Sequence, residues 1–206
     1  MVSKSALAVV SAVGAIATGG VVGYRYFFKN KESLLSKIRE KLKNALHKKI
    51  LVSERDKIWN SWKEFYGAEK TPPILGISKD ELPKWCEESL SGNDESKMEL
   101  VSKWCVVNTR SAREELKAGS MGLLDEDSGT KWEDAWDSYN TGKGEQGIVD
   151  STFVSKNITE KAKGGPALKE WCETYLSKKM YEFFEGGKSY EKVAKWCVKK
   201  PQSTTV

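Results

Sequence analysis

The pattern of apolar and polar positions separates an uncharged N-terminal stretch from a long segment in which apolar residues recur at helical spacing. Residues 5–24 carry no charged side chain, and a helix of that length covers the roughly 30 Å of a bilayer core. Lys4 precedes the stretch, and basic and aromatic residues follow it, as at the ends of a membrane-spanning helix. The pattern predicts a transmembrane anchor over residues 1–24. The alternative is a signal peptide that is cleaved after Ala17.

Small side chains recur at every fourth position within the anchor. Such a stripe allows two membrane helices to pack closely, so a homodimer through this stripe is one prediction. The alternative is that glycine and alanine are simply common in membrane-spanning helices. In both cases the lipid bilayer is the first expected partner. The stripe consists of Ser11, Ala15, Gly19 and Gly23.

The next segment, residues 25–52, is basic and amphipathic. Between residues 31 and 51 apolar side chains fall at helical spacing, while lysines occupy the other side. A basic amphipathic helix beside a membrane span is able to lie on anionic headgroups. Its apolar side is equally suited to packing on the rest of the protein. The sequence leaves these two alternatives open.

Positive charge is concentrated next to the predicted anchor. Residues 25–57 hold eleven Lys or Arg and four Asp or Glu, whereas residues 58–206 hold 22 basic and 25 acidic residues. The larger part of the chain is therefore slightly acidic, which argues against binding to nucleic acid. The chain also contains eight Trp, seven Tyr and six Phe. These residues favour a packed core over disorder.

Three short sequence blocks occur twice, in the same order. Aligning Lys57 with Lys131 places Trp62 on Trp136 and Phe65 on Tyr139. The offset between the copies grows from 74 to 86 to 92 along the chain, as insertions in the second copy would produce. The other two blocks are LPKWCEESL (82–90) with LKEWCETYL (168–176), and SKWCVV (102–107) with AKWCVK (194–199).

Helical spacing within these blocks predicts an all-α fold. In each copy a Leu, a Trp, a Cys and a second Leu share one helix face, and residues 148–154 are the single strand candidate. We therefore expect the N-terminal transmembrane helix to be followed by a helical domain of two pseudo-repeats. The expected parts are repeat 1 (53–107), a linker (108–130), repeat 2 (131–200) and a tail (201–206). The expected core tryptophans are Trp62, Trp85, Trp104, Trp136, Trp171 and Trp196.

Each of the four cysteines follows a tryptophan, and each copy contains two of them. Because the copies match, we predict pairing within each copy. Such a disulfide closes a loop of about 20–26 residues and contributes about 3 kcal/mol of stability. Four buried reduced thiols and a zinc site of four thiolates are the alternatives. The predicted pairs are Cys86 with Cys105 and Cys172 with Cys197.

The motifs that suggest catalysis or cofactor binding are weak. Residues 142–147 spell GxGxxG, but a dinucleotide site requires a strand before this motif, and here a Trp-rich helical segment precedes it. Residues 125–129 hint at a calcium loop, yet its twelfth position is Trp136 instead of an acidic residue. The single histidine, His47, lies in the basic segment, which argues against histidine-dependent catalysis. We expect neither enzymatic activity nor a cofactor.

The layout of the chain resembles large paralogous families of short uncharacterised proteins in haemotropic mycoplasmas, wall-less bacteria that live on red cells. The resemblance is carried by the apolar segment after Met1, the W-x(3)-W-x(2)-[FY] block at residues 132–139, and the L-x(2)-W-C and K-W-C blocks. The first copy departs from the Trp block at Ile58. The resemblance implies a membrane-associated, surface-displayed protein, and it brings no catalytic residues.

Two functions from different classes follow from these features. The leading one is a single-pass surface protein of the cell membrane that displays a helical domain for contact with a host or a partner protein. The alternative is a cytoplasm-facing scaffold or assembly module, and a membrane-bound hydrolase is a distant third. Disulfides favour the outside of the cell. The eleven basic residues after the span favour the cytoplasmic side under the positive-inside rule.

Overall fold

The computed structural model describes residues 32–126, 131–156, 158–184, 187 and 189–199. The predicted anchor with its stripe of small residues, and the tail at 201–206, lie outside the described residues. Among the helices that are described, none is long and apolar enough to cross a bilayer. One compact unit begins at Ser33, and it contains every element introduced below.

The described residues form nine α-helices and two short strands. Three 3₁₀ turns, Glu95–Lys97, Leu124–Glu126 and Gly144–Gln146, complete the regular structure in this part of the chain. In chain order the elements are α1 (Leu34–Leu42), β1 (Lys48–Ile50), α2 (Trp59–Gly67), α3 (Leu82–Ser91), α4 (Met98–Trp104), β2 (Val106–Asn108), α5 (Ala112–Ala118), α6 (Trp132–Gly142), α7 (Ser151–Ser155), α8 (Lys161–Ser177) and α9 (Ser189–Trp196).

The fold is mostly helical, and the small sheet corrects the expectation of an all-α protein. Strands β1 and β2 pair antiparallel, with Ile50 opposite Val106. Three residues are too few to give the alternating pattern by which a strand is recognised in sequence. The expected strand candidate at 148–154 is also wrong, because α7 begins at Ser151.

The basic segment is only partly helical. Helix α1 ends at Leu42, and the chain then turns into β1. The side chains of Leu34 and Ile38 are fully buried in a hydrophobic core, and Leu42 packs against the same core. The apolar side of this helix therefore packs on the domain, which is the second of the two alternatives.

Two separate hydrophobic cores organise the unit. The first core includes Leu34, Ile38, Leu51, Trp59, Tyr66, Leu82, Cys86, Leu90, Val101, Trp104, Cys105 and Val107. The second includes Ala112, Leu116, Leu123, Trp136, Tyr139, Ile148, Phe153, Leu168, Trp171, Cys172, Leu176, Val193, Trp196 and Cys197. Residues 112–123, which the sequence assigned to a linker, are thus part of the second core.

The helices α1 and α5 occupy equivalent positions. Each begins after a serine whose hydroxyl accepts a hydrogen bond from a backbone N–H of the first turn, at Ser33 and Ser111. The Leu34 N–H donates to the Gly92 carbonyl at 2.8 Å. Its counterpart at Ala112 donates to the Lys178 carbonyl, also at 2.8 Å. Both carbonyls lie six residues after the first cysteine of their copy, so α5 opens the second copy as α1 opens the first.

The strands repeat in the same way. The Leu51 N–H donates to the carbonyl of Cys105 at 2.8 Å, and the Leu124 N–H donates to the carbonyl of Cys197 at 3.0 Å. The pair of Ile50 with Val106 in the sheet has its counterpart in a single antiparallel bridge between residues 123 and 198. The repeat therefore spans residues 33–108, the first module, and residues 111–199, the second module. The sequence blocks missed the opening helix and strand of each module.

A segment after α8 joins the two modules. The rings of Phe183 and Phe65 meet edge to face at a centroid distance of 5.0 Å, and the Phe183 N–H donates to the Ser61 hydroxyl. Tyr181 packs against the first core, while Phe184 packs against the second. This connection between the two cysteine-bearing helices is longer in the second module than in the first, and the additional residues form the contact between the modules.

Candidate functional site

A buried disulfide lies at the centre of each module. Cys86 and Cys105 are joined with a Cα–Cα distance of 5.5 Å, and Cys172 and Cys197 with a distance of 5.6 Å. All four residues are fully buried. This is the pairing within each copy that the duplication predicts, and it removes the thiols that the zinc alternative requires. Within the described residues, no cluster of His, Cys, Asp and Glu is arranged to hold a metal ion.

The surroundings of the two disulfides correspond residue by residue. Val101 and Val193 are fully buried beside them. The tryptophan before each second cysteine is also buried, and the preceding lysine lies over its ring: the Nζ atom of Lys103 is 4.7 Å from the ring centroid of Trp104. The corresponding distance for Lys195 in the second module is 4.4 Å. Cation–π contact of this kind is a weak stabilising interaction at the surface.

A buried tyrosine holds the loop after the Trp helix in both modules, an arrangement we call the tyrosine clamp. In the first module the hydroxyl of Tyr66 accepts a hydrogen bond from the Ile74 N–H at 3.1 Å. In the second, the hydroxyl of Tyr139 accepts one from the Ile148 N–H, also at 3.1 Å. The two rings meet the tryptophan before the second cysteine edge to face, at centroid distances of 4.9 and 5.2 Å.

The clamp corrects the alignment of the first sequence block by one residue. Tyr66 is the counterpart of Tyr139, so the offset between the copies is 73 residues here, and not the 74 that pairs Phe65 with Tyr139. Trp59 then corresponds to Trp132, which is the first residue of α6 as Trp59 is of α2. The same offset relates the hydrogen-bonded leucines at positions 51 and 124.

The residue after each clamped isoleucine is an exposed apolar side chain. Leu75 is 99% exposed and Val149 is 61% exposed. The isoleucines before them, Ile74 and Ile148, are buried, with 8% and 4% exposure. Each loop is therefore held against its hydrophobic core. Sequence reasoning missed this pair, because two adjacent apolar residues in a loop give no periodicity that separates the buried one from the exposed one.

The six expected core tryptophans do not all lie in the cores. Trp104, Trp136, Trp171 and Trp196 are buried, whereas Trp62 and Trp85 are half-buried. Trp59, which was not in the expected set, is buried, and its indole N–H donates to the Ser53 carbonyl at 3.0 Å.

The indole ring of Trp136 is covered because α8 begins earlier than its counterpart in the first module. Helix α3 begins at Leu82, which corresponds to Leu168, whereas α8 begins seven residues before Leu168, at Lys161. These additional turns pack on α6. A Cβ atom at Gly164 would lie 2.2 Å from the ring of Trp136, so the contact requires glycine at this position.

Charged side chains tie the opening helix of the second module to the following turn. Arg113 bonds to Asp125 and lies 3.2 Å from Glu126, and Lys117 lies 2.6 Å from Glu126. The hydrogen bond from Lys117, together with Arg113, holds the pKa of Glu126 below its ordinary value. Asp125 and Glu126, two of the acidic residues that hinted at a calcium loop, are thus engaged by cationic side chains.

The GxGxxG segment forms a helical connection. Gly142 is the last residue of α6, and a 3₁₀ turn follows at Gly144–Gln146. Because a helix precedes the motif, the strand that a dinucleotide site requires is not there. The carbonyl of Gln146 accepts a hydrogen bond from the indole N–H of Trp196 at 2.8 Å. This hydrogen bond links the segment to a buried residue of the second core.

Comparison of the chain with protein-family models, with curated proteins and with solved structures finds no match. The site is therefore defined by the geometry of this chain alone. Two equivalent modules each combine a buried disulfide, a tyrosine clamp and an exposed apolar residue. Such an arrangement presents two loops at fixed positions on a rigid scaffold, which is a geometry suited to binding.

Proposed function

We propose that the chain is a single-pass, membrane-anchored surface protein that displays its two-module domain outside the cell for contact with a host or partner protein. The observation that carries this proposal is the pair of disulfides, one at the centre of each module. Disulfides form and persist in oxidising surroundings and are rare in the cytosol. An extracellular position is consistent with that chemistry.

A role in contact is supported by the two exposed apolar loops. Leu75 and Val149 are displayed at equivalent positions, and each follows a residue that is hydrogen-bonded to a buried tyrosine. A loop that is already fixed loses little conformational freedom when a partner binds, so more of the contact energy is available for affinity. Exposed apolar side chains of this kind supply the apolar area that a protein partner buries.

The anchor in this proposal is the uncharged stretch at residues 5–24, which the sequence predicts and which lies outside the described residues. Under the proposal it holds the chain in the cell membrane, with Ser11, Ala15, Gly19 and Gly23 available for a homodimer. The resemblance to surface protein families of haemotropic mycoplasmas points in the same direction.

A cytoplasm-facing scaffold is the second candidate, and one specific observation favours it. Eleven Lys or Arg residues lie between positions 25 and 57, and basic residues after a span are typical of the cytoplasmic side. The same lysines have another role in the inference below, in which they contact lipid.

Two measurements test the proposal. Protease added to intact cells is expected to remove the domain, and protection of the domain would favour the cytoplasmic scaffold. Binding of the purified protein to intact red cells is expected to fall when Leu75→Asp and Val149→Asp are combined. Met121→Asp, at an exposed apolar position outside both loops, is the matched control. Equal binding by the double variant and the control would contradict the role of the loops.

A further inference from the structure

The two modules differ in the connection that follows their opening helix. Ala112 lies 78 residues after its counterpart Leu34, whereas Leu123 lies only 73 residues after its counterpart Ile50. The first module is therefore longer by five residues between the start of its helix and its strand. We call residues 43–47 the basic loop. Helix α1 is two residues longer than α5, and seven residues join Leu42 to Ile50 where four join Ala118 to Leu123. Three of the five additional residues therefore lie in the connection that contains the basic loop.

The basic loop contains an exposed apolar side chain in a stretch of sequence that is rich in basic residues. Leu46 is 93% exposed, and Val52 is 45% exposed. Five basic residues and one acidic residue, Glu40, lie between positions 39 and 49. Glu40 is paired with a lysine of the same set. The exposed basic residues are Arg39, Lys41, Lys43, Lys48 and Lys49.

The surface around the loop is an open groove that apolar and cationic side chains line together. Its volume is about 600 Å³, and it is lined by Arg39, Leu42, Leu46, Lys48, Ile50 and Val52, among others. In the part of the chain that the structure describes, Arg39, Lys41 and Lys48 form no ion pair. Lys48 lies close enough to Glu115 to act on it electrostatically, and Lys49 is paired with Asp56 at 2.6 Å, so Arg39 and Lys41 carry the least compensated charge of the set. In the second module, the lysine at the end of α5, Lys117, is paired with Glu126.

We propose that this surface docks the first module onto an anionic bilayer, with Leu46 in the interface and the surrounding cations among the lipid phosphates. A single exposed leucine is common on soluble proteins, but this leucine lines a groove together with Arg39, Lys48 and Lys49. Each Lys or Arg near an anionic membrane strengthens binding about five-fold. Segments that bind at membrane interfaces combine exposed apolar side chains with neighbouring Lys and Arg side chains in this way.

The docking inference rests on the membrane anchoring proposed above, but not on which side of the membrane the domain occupies. Eight residues, 25–32, separate the predicted anchor from the compact unit, and a chain of this length reaches at most about 29 Å.

A fluorescence experiment with the full chain in lipid vesicles tests the inference. Because all four native cysteines are in disulfides, a fluorophore that reports polarity can be attached selectively in the variant Leu46→Cys. The matched control is Leu75→Cys, whose position is as exposed as that of Leu46 but lies outside the groove. On vesicles of phosphatidylcholine mixed with phosphatidylglycerol, we expect the emission of the label at position 46 alone to shift to the blue. High salt is expected to reverse the shift, because it screens the charges.

Charge variants sharpen the test. Arg39→Gln combined with Lys48→Gln, both in the lining of the groove, is expected to lower the ratio of docked to undocked protein about 25-fold. Lys84→Gln combined with Lys163→Gln, at exposed positions elsewhere, is expected to leave the ratio unchanged. An identical response of the labels at positions 46 and 75, or an equal shift on phosphatidylcholine alone, would overturn the inference. Failure of the chain to float with neutral vesicles would overturn the anchor. The emission of the labels at positions 46 and 75 on anionic vesicles would still test the docking by itself.

Discussion

The first and second modules share one main-chain frame and differ in what has been added to it. Both begin with a serine-capped helix and bring the chain back to the carbonyl of the second cysteine, at Cys105 and Cys197. The first module has a longer opening helix and a longer connection, which contains the basic loop. The second adds α7, the early turns of α8 and the segment that joins the modules. The comparison indicates that the disulfide-centred frame is the constant part, whereas the additions give each module its own surface.

One consequence of these additions is unequal burial at equivalent positions. Trp171 is 4% exposed, whereas its counterpart Trp85 is half-buried. The sequence motif around the two residues is the same, so the motif alone does not determine burial. The ring of Tyr175, at the position equivalent to Ser89, lies 4.8 Å from that of Trp171, and the ring of Phe153, from the added helix α7, lies 6.4 Å away.

Truncation of the paired tryptophans should therefore give unequal results. Trp171→Ala is expected to lower the free energy of unfolding by about 3–5 kcal/mol, as for other buried aromatic residues. Trp85→Ala is expected to cost about 1–2 kcal/mol, because less apolar area is withdrawn from water. Chemical denaturation followed by circular dichroism measures both. Equal losses would mean that the two modules bury this position alike.

Removal of the disulfides should give nearly equal results. The Cys86→Ala, Cys105→Ala variant and the Cys172→Ala, Cys197→Ala variant open loops that span 19 and 25 residues. For loops of these lengths the expected loss is about 3 kcal/mol each. Denaturation under non-reducing conditions tests this expectation. A loss confined to one variant would show that only one module depends on its disulfide.

The close contact between α6 and α8 belongs to the second module alone. Gly164→Ala would place a methyl group against the ring of Trp136 and is expected to cost about 1–3 kcal/mol through overpacking. Gly147→Ala is the control, since its nearest neighbour would be 3.5 Å away. Thermal melting compares the two. A melting temperature unaffected by Gly164→Ala would contradict the packing described for this helix.

Acid should weaken the start of the second module more than that of the first. Hydrogen bonds from the backbone and side chain of Ser111 lower the pKa of Glu114 below its ordinary value of 4.5. A lowered carboxyl pKa contributes stability above that ordinary value, and the contribution is lost as the pH falls through the folded-state pKa. The first module has Ser36 at the equivalent position, which does not titrate in this range.

The pH effect is expected to be the smallest of the four, because Glu114 is exposed to solvent. Hydrogen exchange of α5 and α1, followed as the pH is lowered, measures it for each helix separately. Glu114→Gln should reduce the acid sensitivity of α5, to which Glu115 and Glu126 also contribute through their lowered pKa values, and leave that of α1 unchanged. Equal loss of protection in both helices would contradict this role of the cap.

The parts that the sequence predicted are those with a repeated side-chain pattern. The Trp-Cys blocks indicated the duplication and the disulfide pairing within each copy. Helix α1 was predicted within the basic amphipathic segment, but its equivalence with α5 was missed. The two helices share only a serine cap and two buried aliphatic positions, occupied by Leu34 and Ile38 in one module and Ala112 and Leu116 in the other. Weak side-chain similarity of this kind is compatible with the same backbone hydrogen bonds, which sequence does not display.

The candidate contact site was harder to predict than the frame. Leu75 and Val149 are exposed because the isoleucine before each is held by a tyrosine eight or nine residues earlier along the chain. That relation depends on the path of the loop and not on any local period. Leu46 was counted with the apolar side of a helix that in fact ends at Leu42, so its exposure also became evident only from the structure.

A disulfide map of the protein taken from its native membrane tests the central claim most directly. The claim is that two equivalent modules, each closed by its own disulfide, are displayed outside the cell. After blocking of free thiols and digestion without reductant, mass spectrometry is expected to find Cys86 linked to Cys105 and Cys172 linked to Cys197. Four blocked thiols, with the domain protected from protease added to whole cells, would contradict the claim and favour the cytoplasmic scaffold.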